Sequence, residues 1–123
     1  MQWRMTAQLS QGGELRLDLA GNGPDAGGAT DAWTPVDFLA AAVAGCFVKS
    51  CQMVLQALGE AERHIEAHVE LDKADAKPNR VGRARIRYMI DGLDADRAAR
   101  IAKDAKRICT VTNTLNCEFE LAI

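Results

Sequence analysis

The side chains able to do chemistry in this 123-residue chain are first of all its four thiols, Cys46, Cys51, Cys109 and Cys117. Thiols bind soft metals, pair as disulfides or attack as nucleophiles, and spacing narrows the choice. Cys46 and Cys51 are five residues apart in a helical pattern, so their side chains diverge by about 140° and cannot share one tetrahedral ion. Cys109 and Cys117 miss the short spacing of a zinc hook. His64 and His68 are four apart, but in an alternating strand pattern, where they share a face without converging. No metal and no cofactor is therefore expected, and no spacing suggests a Ser-His-Asp triad. Cys51 and Cys117 read as small core hydrophobes. Cys46 and Cys109 each fall on the apolar side of a helix, so each is able to approach the other, although periodicity alone favours two core thiols.

The element that must position Cys46 is the longest helical pattern in the chain, Thr34 to Leu58. Thr34 suits its N-cap, Pro35 its first turn and Asp37 the positive end of its dipole, while Gly59 ends it. From Phe38 to Val48 there is no charged residue, and Ala40, Ala41, Ala42, Ala44 and Gly45 are small enough to admit another backbone. Lys49, Gln52, Gln56 and Glu60 form a wetted stripe on the second half only, so the first half is the enclosed one. Cys109 ends a second helix, capped by Asp94, in which Ala98, Ile101, Ala102, Ala105 and Ile108 make the apolar stripe.

Around these helices lie strands. Trp3 to Leu9 and Leu15 to Leu19 alternate about a Ser10–Gly13 turn and read as a hairpin. Gly21 to Thr30 is a glycine-rich loop with neither a GK[ST] ending nor GxGxxG spacing, hence a linker rather than a phosphate cradle. His64 to Asp72 and Arg83 to Ile90 alternate again across a loop from Lys73 to Gly82, and Thr110 to Asn116 reads as a turn or short helical piece. Cys117, Phe119, Leu121 and Ile123 then make a last strand. The fold class expected is α+β in one domain, residues 1–123: hairpin, long central helix, antiparallel strands, second helix and C-terminal strand.

Composition sets bounds on function. Hydrophobic residues are 48% and charged residues 26% of the chain, ordinary for a globular protein. The formal net charge of −2 gives no reason to expect nucleic-acid or membrane binding. Between Lys73 and Arg107 eleven basic residues face five acidic ones, but the acidic face of the preceding strand should neutralise Arg83, Arg85 and Arg87. The N-terminus lacks the apolar core of a signal peptide, and the uncharged run of the long helix is shorter than the roughly 20 residues that span a bilayer. A cytoplasmic location with free or reactive thiols follows as the expectation, and the enclosed helix points to an oligomer.

Two segments carry a more specific signal. Thr34-Pro35-x-Asp37-x-Leu39-Ala40-Ala41-Ala42-x-Ala44-Gly45-Cys46 resembles the central-helix motif of the OsmC/Ohr family (osmotically inducible protein C and organic hydroperoxide resistance protein). Lys106 to Leu115, KRICTVTNTL, is similar to the second-cysteine motif of that family. The resemblance covers nearly the whole order of elements. It implies an intertwined homodimer with the long helices at its centre and a thiol-dependent peroxidase that reduces organic hydroperoxides. Cys46 would be the peroxidatic thiol, Cys109 the resolving thiol, and an external dithiol the reductant. The family's activating arginine comes from the N-terminal sheet, where Arg4 is the first match and Arg16 the second. The family glutamate ten positions before the first cysteine is Val36 here, with Asp37 beside it. That departure leaves a second expectation, a non-catalytic relative that binds a small apolar ligand or partner in the dimer cleft.

Overall fold

Alternation of apolar and polar residues builds a sheet, and the two longer helices cover its apolar face. In a computed structural model, which describes residues 1–19 and 32–123, the order is β1 (Gln2–Leu9), β2 (Leu15–Leu19), α1 (Pro35–Ala57), β3 (Ile65–Lys73), β4 (Val81–Ile90), α2 (Ala95–Ile108), α3 (Thr110–Thr114) and β5 (Glu118–Ala122). The glycine-rich loop expected at Gly21 to Thr30 lies outside the described residues. Five strands pair in the order β2-β1-β3-β4-β5. The first three pairings are antiparallel, but β5 runs parallel to β4. Parallel neighbours need a crossover, and α2 supplies it. The α+β class is as expected; the parallel edge is a finding that the alternation of residues could not give.

The inner face of the sheet is Met5, Ala7 and Leu9 of β1, Ile65, Ala67, Val69 and Leu71 of β3, and Ala84, Ile86, Tyr88 and Ile90 of β4, all buried. Helix α1 packs over β1, β2 and β3, and α2 lies beside it over β4 and β5. Phe47 of α1 meets Tyr88 of β4 with ring centroids 5.9 Å apart. On the outer face, Arg85 pairs with Glu70 at 2.9 Å and with Asp72 at 3.0 Å, so the expected cross-strand neutralisation is present.

Local chemistry sets the ends of α1. Thr34 and Asp37 form a full capping box, in which the Thr34 N–H donates to Asp37 Oδ2 at 2.7 Å. At the other end Gly59 adopts φ 73°, and the Gly59 and Glu60 N–H groups return to the carbonyls of Gln56 and Leu55 at 3.0 and 2.9 Å. This is a Schellman stop, which needs the left-handed residue that glycine supplies without strain. By length and apolarity α1 could cross a membrane, yet most of it is buried in this fold. It is the core helix.

Two expectations about α1 change. Gln52, read as part of the wetted stripe, is buried, and its amide faces the Arg63 backbone at 3.4 and 3.5 Å. A glutamine that meets the N–H and C=O of one residue can be buried at little cost. Gly45 is the second: Phe38, 49% exposed, and Ala42 lie on the side of α1 that this chain leaves uncovered, whereas Gly45 faces the sheet. A methyl group at Gly45 would touch Leu15 and Leu17 side chains at 3.5 and 3.8 Å, so the small residue there accommodates β2 side chains rather than another backbone.

Candidate active site

The sulfur atoms of Cys46 and Cys109 lie 2.8 Å apart, although 63 residues separate them in the chain. Both are free thiols. Cys46 sits at the middle of α1 and is half-buried, whereas Cys109 is fully buried. Cys109 is at once the C-cap of α2 and the N-cap of α3. The corner is held by Thr112, whose buried hydroxyl reaches the Cys109 and Lys106 carbonyls at 3.2 and 3.3 Å, and by Asn113, whose side-chain amide donates to the Arg107 carbonyl at 2.9 Å. Those bonds turn the chain so that Cys109 faces α1. One helical turn after Cys46, Ser50 is also buried, with its hydroxyl 4.0 Å from the Cys46 sulfur.

Electrostatics splits the pair. Burial pushes the Cys46 thiol up, and its bond with Cys109 adds to this against the Val111 N–H and Ser50. Burial also raises Cys109, but bonds from Cys46, from the Thr112 N–H and hydroxyl and from Ser50 bring it below the ordinary thiol value. In a pair this close the first proton leaves easily because the second thiol donates to the new thiolate, and the second proton leaves with difficulty. The easier ionisation therefore belongs to the pair.

The activating cation is not where it was expected. Arg4 projects from the outer face of β1, 60% exposed, and pairs with Glu70 at 3.3 Å. Arg16 is on the outer side of β2 with Asp18 at 3.0 Å. Among the described residues, the side-chain contacts of the two sulfurs are with each other and with Ser50, and none is with a guanidinium or ammonium. The structure thus brings Cys46 and Cys109 together and leaves Arg4 apart. The alternation that put Met5 and Ala7 inside already placed Arg4 outside. Val36 is half-buried at the family glutamate position, and Asp37 is occupied by the cap. Cys51 is fully buried and its thiol is pushed up by burial, while Cys117 is half-buried and likewise raised by burial. No group of three or more metal-binding side chains occurs among the described residues. Ser50 escaped the sequence reading. Its signal was a hydroxyl set four residues, one helical turn, after Cys46.

Comparisons with known proteins agree with this architecture. An organic hydroperoxide resistance protein OsmC of Legionella pneumophila, also described as a predicted redox protein, superposes with TM-score 0.67 at 19% identity, over 96% of this chain and 93% of that one. The organic hydroperoxide resistance protein OhrB of Bacillus subtilis gives TM-score 0.65 at 17% identity, over 98% and 96%. One from Elizabethkingia anophelis gives 0.62 at 18%, over 98% and 93%. At these identities the likeness is one of fold. No curated protein matches the sequence. The family model for OsmC-like protein matches residues 27–123, a stretch that holds Cys46 and Cys109, all three helices and strands β3 to β5, and the chain belongs to that family.

Proposed function

We propose that this protein is a thiol-dependent peroxidase for organic hydroperoxides, with Cys46 as the attacking sulfur and Cys109 as the resolving one. The observation that carries the reading is the 2.8 Å approach of the two sulfurs in a chain of the OsmC-like family. Similar folds named for organic hydroperoxide resistance support it. Cys46 is the more exposed of the pair, so peroxide reaches it first. The Cys46 thiolate attacks the outer peroxide oxygen, the O–O bond breaks, and the alkoxide leaves as an alcohol after taking one proton, with Cys46 oxidised to a sulfenic acid. Cys109 sulfur then attacks the sulfenic sulfur, a disulfide forms, and hydroxide leaves as water with the proton from Cys109. An external dithiol reduces the disulfide by two thiol exchanges and is itself oxidised to a disulfide. Such chemistry fits a reducing cytoplasmic compartment, and the protein acts as a homodimer.

The test is anaerobic mixing of the reduced protein with an alkyl hydroperoxide. The expected outcome is loss of two thiols per chain, no reaction in Cys46→Ser, and a sulfenic acid trapped by dimedone in Cys109→Ser. Undiminished oxidation of Cys46→Ser sinks the reading. A second reading, an OsmC-like module that holds an apolar ligand, is favoured by two observations: Asp37 is taken up by the helix cap, and among the described residues the side-chain contacts of the two sulfurs include no cation. Unreactive thiols with saturable binding of an apolar fluorophore would select it.

A further inference from the structure

We propose that Ser50 is a third polar member of this site, its hydroxyl donating to whichever of the two sulfurs carries negative charge. The inference rests on the peroxidase reading for its purpose, but on the packing of α1 for its argument. Serine is a poor choice for the middle of a helix, because its hydroxyl competes for backbone groups. When it occurs there buried, it ordinarily returns to the carbonyl four residues back, here that of Cys46. Among the described residues no such bond is formed. Ser50 is only 4% exposed, and the contact it makes is to Cys46 sulfur at 4.0 Å. Cys109 sulfur lies 2.8 Å from Cys46 sulfur, so a hydroxyl held at Cys46 sulfur stands beside the pair.

The placement matters because the usual means of holding a thiolate are elsewhere. Arg4 and Arg16 are engaged on the other face of the sheet. A thiolate formed between α1 and the α2–α3 corner would then be an unpaired charge in a largely apolar wall, which is costly. Hydrogen bonds offset that cost. The residues placed to donate are Val111 and Thr112 of the corner and Ser50, and of these Ser50 holds a side-chain contact to sulfur, at 4.0 Å. Thr112 divides its single hydroxyl proton among carbonyls of its own corner as well. Ser50 has no such competing acceptor among the described residues. A contact of 4.0 Å is the outer limit for a bond to neutral sulfur, and charge on the sulfur draws a donor in. The hydroxyl keeps its proton throughout. Its part is to follow the charge from Cys46 in the attack to Cys109 in the resolving step without a change of partner element.

The experiment needs no peroxide, which separates this inference from the reading it rests on. The reduced protein is titrated by thiolate absorbance and by iodoacetamide alkylation against pH, with Cys46 and Cys109 resolved by mass spectrometry. Loss of the donor in Ser50→Ala is expected to move the first ionisation of the pair up by about one unit, and to slow alkylation on the acid side by about tenfold. Ser50→Thr keeps a hydroxyl on the same carbon and is expected to restore the parent profile. Circular dichroism and melting of both variants accompany the titration, since a purely structural serine would alter melting and leave the profile in place. A Ser50→Ala profile that coincides with the parent, or a Ser50→Thr profile no better than that of alanine, overturns the inference. A shifted profile in a protein that ignores hydroperoxides would keep Ser50 as a thiolate donor and discard the peroxidase instead.

Discussion

With their sulfurs 2.8 Å apart, Cys46 and Cys109 are expected to titrate as one unit, and this has a measurable form. One thiol of the pair lies above the ordinary value of 9.0 and the other below it. The reduced protein should therefore lose two protons in steps that flank that value, and Cys109→Ala should leave a single step between them. A thiolate titration of the two proteins checks this; two coincident steps in the parent would show that the sulfurs do not communicate. The sign follows from the donor count. The first thiolate gains the second S–H as a partner, so its ionisation is eased, and the second must ionise beside an existing charge. Little of this was visible in the sequence, where a separation of 63 positions hides the pairing; the family motif supplied the pair, and the fold supplied the reason for its split. Arg4 shows the opposite error. Its distance along the chain recommended it, while its parity in β1, opposite to Met5 and Ala7, had already turned it to the outer face, where Glu70 takes it.

The helices decide which polar groups are free for chemistry. Asp37 stands one residue from the family glutamate position, and it is buried, so proximity alone would give it a catalytic part. Its carboxylate instead accepts the Thr34 N–H and hydroxyl at 2.7 and 2.9 Å. Asp37→Ala should thus cost about 1 kcal/mol of folding stability through the lost cap and leave thiol oxidation by hydroperoxide unchanged; urea unfolding and the peroxide assay on the same sample measure both. A collapse of oxidation in a folded variant would return Asp37 to the site. Elements with local causes were readable beforehand: the capping box, the Gly59 stop and the period-two strands each follow from neighbours in the chain. The failures were non-local. Gln52 is polar by type but buried, because the Arg63 backbone, eleven residues on, meets its amide. The direction of β5 depends on how α2 crosses the sheet, which alternation of Phe119 and Leu121 cannot reveal.

For the whole molecule the open question is what covers α1. Phe38 and Met53 are 49% and 58% exposed, and Ala42 and Lys49 lie between them on the surface. At about 100° per residue, Phe38, Ala42, Cys46, Lys49 and Met53 fall within about 80° of arc, a single stripe along the helix. An apolar stripe with one lysine is poor as a water-facing surface, but it suits a copy of itself, since the lysine stem can lie along apolar neighbours with its head outward. A two-fold pairing of α1 helices across this stripe would bury Phe38 and Met53 and bring the partner to the edge of Cys46. The sheet offers no equal alternative, because its outer face is occupied by ion pairs such as Arg85 with Glu70 and Asp72. Phe38→Glu combined with Met53→Glu should therefore convert a dimer to a monomer in sedimentation experiments, because the charges would face each other across the axis. Dimerisation unaffected by the double substitution would place the contact elsewhere. If the monomer keeps its fold yet exposes Cys46 to alkylation more readily, the partner also forms part of the wall that shelters the pair, and the apolar half of α1 serves assembly and chemistry with the same residues.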